Sequence, residues 1–234
     1  LTGKFYGLGV GPGDPELITI KAINIANRVD ILIAPETASG KGSIAYDIIK
    51  GHLVDERKIR FQTYPMTYDA NKLDSTWNEN VKEIMDFLKQ GKDVAFITLG
   101  DPMIYSTYIY IMGLIKKMGM EVQTVPGITS FCAAASRLNL PLAEGDETVA
   151  IIPAAYDCEN LDEIINTCDN IVLMKPSKGF EKIVEKLENF QLADKTVMIQ
   201  KCGHGDEKIY HDLREVEKDK VPYLSMLITK KRGE

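Results

Sequence analysis

Three short loops hold the residues whose types and spacing point most directly to chemistry. The first is Gly9-Val10-Gly11-Pro12-Gly13-Asp14, inside the stretch FYGLGVGPGDPELIT. Its glycines allow positive φ and let another molecule approach the backbone with no Cβ in the way. A glycine-rich turn from a strand into a helix is a common ligand site; the alternative is a tight turn that binds nothing. The second loop is Gly100-Asp101-Pro102-Met103-Ile104-Tyr105-Ser106-Thr107. Asp101 can accept hydrogen bonds from a ribose or an ammonium group, or cap the following helix with Pro102 at its first position. The two roles are not exclusive. The third is Val125-Pro126-Gly127-Ile128-Thr129-Ser130, a turn with two hydroxyls at a helix start. Two later segments, Ile151–Ala154 and Val172–Pro176, are candidates for a facing wall. On general grounds Met174 is more often core than a cofactor contact, and Lys175 beside it is more often a solvated cation.

The first loop invites a dinucleotide reading and fits it poorly. Gly9-x-Gly11 is present, but Asp14 stands where G-x-G-x-x-G needs its third glycine. Glu36 is available as a ribose acid. An anionic pyrophosphate, however, would meet Asp14 at the positive end of the helix, which is unfavourable. Asp14 suits an N-cap and Pro15 the first helical position, with Thr19 as an alternative helix start.

The elements that must carry these loops alternate between strand and helix patterns. Strands are expected at Lys4–Val10, Val29–Ala34, Arg60–Tyr64, Asp93–Leu99 and Glu121–Val125. Helices are expected at Leu17–Ala26, Ser43–Lys50, Thr76–Lys89, Ile104–Met118 and Ile128–Leu138. Continuous apolar runs such as VDILIA fit strands buried on both faces of a parallel sheet, and the alternation predicts helices on both faces. The second half differs. Strands are expected at Glu147–Ile152, Ile171–Met174, Thr196–Lys201, Lys208–His211 and Tyr223–Ile228, with helices at Leu161–Thr167 and Lys178–Asn189 and a short one at Leu213–Glu217. The closely spaced last strands imply a mixed sheet. The fold class is therefore α/β with two domains, residues 1–126 and 127–234, and a boundary that can slide toward Pro141–Glu144.

Composition narrows the partners. The chain has 234 residues, enough for one large or two small cores, and a net charge of −6. Its only basic run is Lys230-Lys231-Arg232, so a nucleic-acid surface is not expected. No apolar run is long enough to span a bilayer and no signal-peptide pattern opens the sequence. Cys132, Cys158, Cys168 and Cys202 are widely separated, which fits thiols in a reducing cytoplasm. His52, His204 and His211 form no ligand spacing with them, and no metal site is expected.

Taken together and in order, GVGPGDPELIT, LGDPMIYST, VPGITS and VLMKP resemble the tetrapyrrole methylases, which transfer methyl groups from S-adenosylmethionine to corrin precursors. The resemblance covers nearly the whole chain. APETASGKGSIAYDII and GDPMIYSTYIYIM look most like the branch acting at C20 of precorrin-2 or cobalt-precorrin-2. It implies a parallel-sheet N-terminal domain, a mixed-sheet C-terminal domain and folded S-adenosylmethionine in a cleft between them. It also implies a homodimer. Motif matching carries cofactor contacts onto Pro12, Leu99, Gly100, Asp101, Ile104, Thr129, Ser130 and Met174. Gly11 and Gly13 would serve close approach of the macrocycle. Some relatives have an Asp base after the second strand; here Ala34-Pro35-Glu36-Thr37 stands there, so Glu36 is a candidate only.

The acceptor so implied carries several carboxylates, and the protein is acidic, so local cations must face it. Lys41, Arg137, Lys175 and Lys178 are the candidates by loop or motif position, and Pro65–Ser75 is a candidate cover. An electron-rich meso carbon supplies its own electrons, so positioning and water exclusion are the expected work. Two competing readings stay open: a methylase acting at another ring carbon, and a nucleotide-binding module without catalysis.

Overall fold

Phe5–Gly9 forms β1, buried along its whole length. Around it the first unit, Leu1–Thr129, contains in chain order α1 (Ile20–Arg28), β2 (Ile31–Glu36), α2 (Ile44–Ile49), β3 (Ile59–Thr63), α3 (Ala70–Lys89), β4 (Val94–Thr98), α4 (Tyr108–Lys117) and β5 (Val122–Val125). The computed structural model describes residues 2–65, 70–154 and 160–232, and only the backbone of 70–74. Cys158 and residues 66–69 of the expected cover segment lie outside the described residues.

The five strands are all parallel, in the order β3-β2-β4-β1-β5. Successive strand residues point to opposite faces, and both faces are apolar, as the continuous runs require. Tyr6, Leu8, Leu32, Ala34, Ala95 and Ile97 pack against α1 and α2. Phe5, Ile31, Ile33, Val94 and Phe96 pack against α3 and α4. Gly7 lies among this second set. A Cβ on it would sit 2.1 Å from the Tyr108 ring, so the missing side chain is the space that ring occupies. The Tyr108 hydroxyl pairs with Thr124 Oγ1 at 2.7 Å, which satisfies a buried phenol.

The topology also fixes where a ligand can bind. β1 and β4 are neighbours, yet the helix after β1 lies on one face and the helix after β4 on the other. Open parallel sheets bind ligands in the crevice outside the carboxyl ends of such a strand pair. The loops leaving these two strands are Gly9–Asp14 and Gly100–Thr107.

Several boundaries differ from expectation for local reasons. The first helix is split. Asp14 Oδ1 accepts from Glu16 N at 2.9 Å and caps a single 3-10 turn, Pro15–Leu17. Ile18 is extended, and Thr19 then caps α1 by accepting from Ala22 N. β2 begins two residues later than expected and runs on through Pro35 to Glu36, because β3 pairs with it to Glu36↔Thr63. The helix expected from Ile104 starts at Tyr108. Asp101 is used elsewhere, and Ser106 Oγ takes the Tyr108 N–H at 3.0 Å instead. Residues 70–75 of the expected polar segment belong to α3.

The second unit is Ser130–Glu234. It contains α5 (Ser130–Leu138), β6 (Val149–Pro153), α6 (Leu161–Thr167), β7 (Asn170–Met174), α7 (Phe180–Asn189), β8 (Thr196–Gln200), β9 (Lys208–Tyr210) and β10 (Ser225–Lys230). Its sheet is mixed, in the order β6-β7-β10-β8-β9, with β6 and β7 parallel and the remaining pairs antiparallel. Ile171, Leu173, Met198 and Leu227 form the core with α6 and α7. The last strand inserts between β7 and β8, and it is held there by more than its ladders. Lys230 Nζ lies 2.8 Å from Glu144 and 3.1 Å from the Pro141 carbonyl, tying the segment before β6 to the chain's last strand.

Candidate functional site

The loops after β1, β4 and β5 meet backbone to backbone. Gly11 and Gly100 form an antiparallel bridge, Gly100 N donating to Gly11 O at 2.8 Å. Both have positive φ, +78° and +69°, which glycine adopts without strain. Gly127 closes the group. A Cβ on Gly127 would lie 2.2 Å from Gly100 O, and one on Gly9 would lie 2.5 Å from Gly127 N. Nothing larger than hydrogen fits at either position.

Asp101 joins the second loop to the third. Its Oδ1 accepts from Met103 N at 2.8 Å and its Oδ2 from Gly127 N at 3.0 Å. The carboxylate therefore closes its own turn and holds the Pro126-Gly127 corner, rather than capping α4. Thr98 Oγ1 and Ser106 Oγ, both buried, lie 3.2 Å apart and pin the far end of the same loop to β4. Sequence reasoning missed that pair, and the glycine contact also. The available signals were a hydroxyl at the end of a buried apolar strand and glycines at three strand ends.

Between these anchors the surface is apolar and open. Met103, Ile104, Tyr105 and Ile128 are exposed. Gly100 is itself buried, yet a Cβ on it would meet nothing within 4 Å. Space therefore borders this backbone on one side. Leu99 is half-buried, while Gly11, Pro12 and Gly13 are buried beneath the loop surface. The Thr129 hydroxyl is buried and has no hydrogen-bond partner, an arrangement that ordinarily signals a missing one. The structure thus brings together Gly11, Leu99, Gly100, Asp101, Ile104 and Thr129 at the carboxyl end of one sheet.

The family model for tetrapyrrole (corrin/porphyrin) methylases matches residues 4–217. The chain belongs to the tetrapyrrole methylases. This methylase is 38% identical over 99% of its length to a probable cobalt-precorrin-2 C(20)-methyltransferase of Methanocaldococcus jannaschii, covering 97% of that protein. It is 33% identical over its whole length to the cobalt-precorrin-2 C(20)-methyltransferase of Salmonella typhimurium, covering 99% of it. Among solved structures, that of a cobalt precorrin-4 methyltransferase superimposes with a TM-score of 0.77 at 24% identity, covering 97% of this chain and 94% of that one. The two-unit α/β architecture is thus that of the family.

The remaining candidates of the methylase lie outside that group. Glu36 ends β2 and is buried at 8% exposure, its carboxylate accepting from Gly40 N at 3.1 Å and from Thr63 Oγ1 at 3.3 Å. Lys41 is exposed on the loop that follows. In the second unit Ser130 opens α5, and Met174 ends β7 opposite Met226. Lys175 has φ +58° and its Nζ lies 5.3 Å from the Tyr223 ring centre, a cation–π pair. Lys178 is exposed at the end of the 3-10 turn Pro176–Lys178. Arg137 Nε donates to Glu207 at 2.7 Å, so an acceptor carboxylate would have to compete with Glu207 there. Beside this pair, burial pushes the Cys202 thiol up to about 11, which keeps it protonated and unreactive. Among the described residues no three His, Cys, Asp or Glu side chains are placed to hold a metal. No helix among them is long and apolar enough to cross a membrane.

Proposed function

We propose that this protein transfers a methyl group from S-adenosylmethionine to C20 of cobalt-precorrin-2 or precorrin-2 in cobalamin biosynthesis. The observation that carries the position on the ring is the 38% identity over 99% of the chain to the M. jannaschii C(20)-methyltransferase. When bound, S-adenosylmethionine supplies an electrophilic methyl group on a sulfonium and leaves as a neutral thioether. The residues at the carboxyl end of the parallel sheet suit such a group. The open side of Gly100 offers room, Thr129 has an unused buried hydroxyl, and Met103, Ile104 and Ile128 present an apolar wall.

The work of the chain's own residues is positioning. The Gly9-Gly100-Gly127 contact and the Asp101 carboxylate hold three loops in one arrangement before any ligand arrives. Correct placement of reactants contributes up to about 7–11 kcal/mol to such a reaction. The apolar wall keeps water from the reacting carbon. No base is assigned, since the acceptor carbon provides the electron pair and loses its proton afterwards. Cobalt, where present, comes as part of the substrate. Gly11 and Gly13 belong to the same reading as places of close approach, and Lys41, Lys175 and Lys178 as cations for the acceptor's carboxylates. We also place the protein in the cytoplasm as a homodimer, on the family resemblance and on the free thiols of Cys132, Cys168 and Cys202.

The test is product analysis with isotope-labelled methyl donor and both forms of precorrin-2. Mass spectrometry is expected to show one added methyl group, and NMR to place it on C20. Label on another carbon would make this a methylase of different position. Calorimetric preference for NAD or ATP over S-adenosylhomocysteine would favour a non-catalytic nucleotide module.

Thr129→Val gives a second test. The hydroxyl has no partner in the free protein, so its removal is expected to leave the melting temperature unchanged or raised. Affinity for S-adenosylhomocysteine is expected to fall about 5–10-fold, the effect of one neutral hydrogen bond. A lowered melting temperature with unchanged affinity would make the hydroxyl structural.

A further inference from the structure

We propose that Glu36 is a positioning residue of this reaction: its carboxylate latches the loop of residues 37–42 and holds Lys41 against a carboxylate of the acceptor. The inference rests on the methyl-transfer reading above and assigns a part of the site that reading leaves open. It begins from the sheet register. β2 pairs with β4 up to Ile33↔Phe96. Beyond that pair β2 runs on beside β3 to Glu36↔Thr63. The loop that leaves β2 therefore starts at the same carboxyl edge of the parallel sheet as the loop after β4.

That loop, Thr37-Ala38-Ser39-Gly40-Lys41-Gly42, has little to hold it. Its residues are exposed apart from the half-buried Ala38. Gly40 and Gly42 have φ of +75° and +79°, and a Cβ on either would meet nothing within 4 Å. The glycines thus serve backbone conformation and not packing. Lys41 N donates to Ala38 O at 3.1 Å and closes one turn. The tie from this turn to the sheet is Gly40 N to Glu36 Oε2. The second oxygen of Glu36 is held by Thr63 on β3, its partner in register. Ser43 then caps α2 by accepting from Tyr46 N, which fixes the far end. Both carboxylate oxygens are engaged in holding chain, so Glu36 is placed as a latch and not as a proton acceptor for the substrate. The only cation within the latched loop is Lys41, set between the two left-handed glycines. A polycarboxylate acceptor is the ligand class that an exposed ammonium group on such a held loop would recognise.

The experiment uses the full chain, with steady-state kinetics in tetrapyrrole at saturating S-adenosylmethionine and calorimetry with S-adenosylhomocysteine. Glu36→Ala is expected to raise the tetrapyrrole KM about tenfold, the loss of one charge-assisted contact, with kcat and S-adenosylhomocysteine affinity within about threefold of wild type. Glu36→Gln restores most of the KM, since its amide can accept from Gly40 N and donate to Thr63 Oγ1. Lys41→Ala reproduces the KM effect, and the double variant is no worse than either single one, because both remove one coupled contact. Additive effects, or an unchanged KM in Lys41→Ala, would overturn the latch. So would a large loss of kcat in both Glu36→Ala and Glu36→Gln with S-adenosylhomocysteine binding retained; that result would make Glu36 an acid–base group. Should Glu36→Ala not fold, Thr63→Val takes its place in the cycle. Failure of the wild type to methylate either form of precorrin-2 would instead remove the functional reading, and this inference with it.

Discussion

Gly127→Ala is expected to weaken S-adenosylhomocysteine binding on the order of 100-fold and to lower the melting temperature by several degrees. The new Cβ would lie 2.2 Å from Gly100 O and 2.8 Å from Gly9 Cα. Both neighbours are backbone, so no side chain can rotate away. The loops after β4 and β5 must separate by roughly 1 Å to restore ordinary contact, and a misplacement of that size costs on the order of 100-fold in a positioned site. The separation also stretches the hydrogen bond from Gly127 N to Asp101. Overpacking of this kind costs about 1–3 kcal/mol, or roughly 2–12 °C for a chain of this size at about 2–4 °C per kcal/mol. Gly113→Ala is the control. Gly113 lies within α4 and a Cβ there meets nothing within 4 Å, so the exchange is expected to be neutral or stabilising by up to about 1 kcal/mol. If Gly127→Ala bound S-adenosylhomocysteine as wild type does, the three-loop contact would not be what shapes the site.

That contact marks the limit of what could be read from the chain. The parallel sheet was legible because VDILIA and DVAFITL are apolar on both faces, and the mixed sheet because the last strands stand too close for crossover helices. The three loops were legible because glycine, proline and a capping residue cluster at the ends of such runs. What was not legible depends on distance between loops. Residue type at Gly127 says that a Cβ is absent, not that Gly100 O occupies the place. Asp101 has the same local pattern whether it caps α4 or reaches across to Gly127. The choice is made by the corner after β5, 26 residues away. Glu36 reads as a candidate ribose acid or base because it follows a proline at the end of an apolar run. Its burial comes from β3, which extends the ladder to Thr63 and supplies a hydroxyl. The insertion of β10 between β7 and β8 is likewise a long-range choice that no local spacing encodes.

Asp101→Ala is expected to weaken S-adenosylhomocysteine binding about 10–100-fold and also to lower the melting temperature of the ligand-free protein. The two effects have one origin. Hydrogen bonds to a charged acceptor contribute roughly 1.5–3 kcal/mol each, reduced here because Met103 is exposed and Gly127 only half-buried. A combined loss of about 2 kcal/mol is equivalent to roughly 30-fold in affinity and about 4–8 °C in melting temperature. Asp101→Asn separates this role from direct ligand contact. An amide has one acceptor oxygen, so it can serve Met103 N or Gly127 N but not both, and its NH2 would face the remaining donor. A stapling role therefore predicts that Asn rescues little of either effect. A carboxylate that only received a ligand hydroxyl would leave the free protein's melting temperature unchanged in both variants, and Asn, still able to accept, would recover much of the affinity. The geometry favours the first outcome, because both oxygens of Asp101 already have partners within the chain before any ligand is bound.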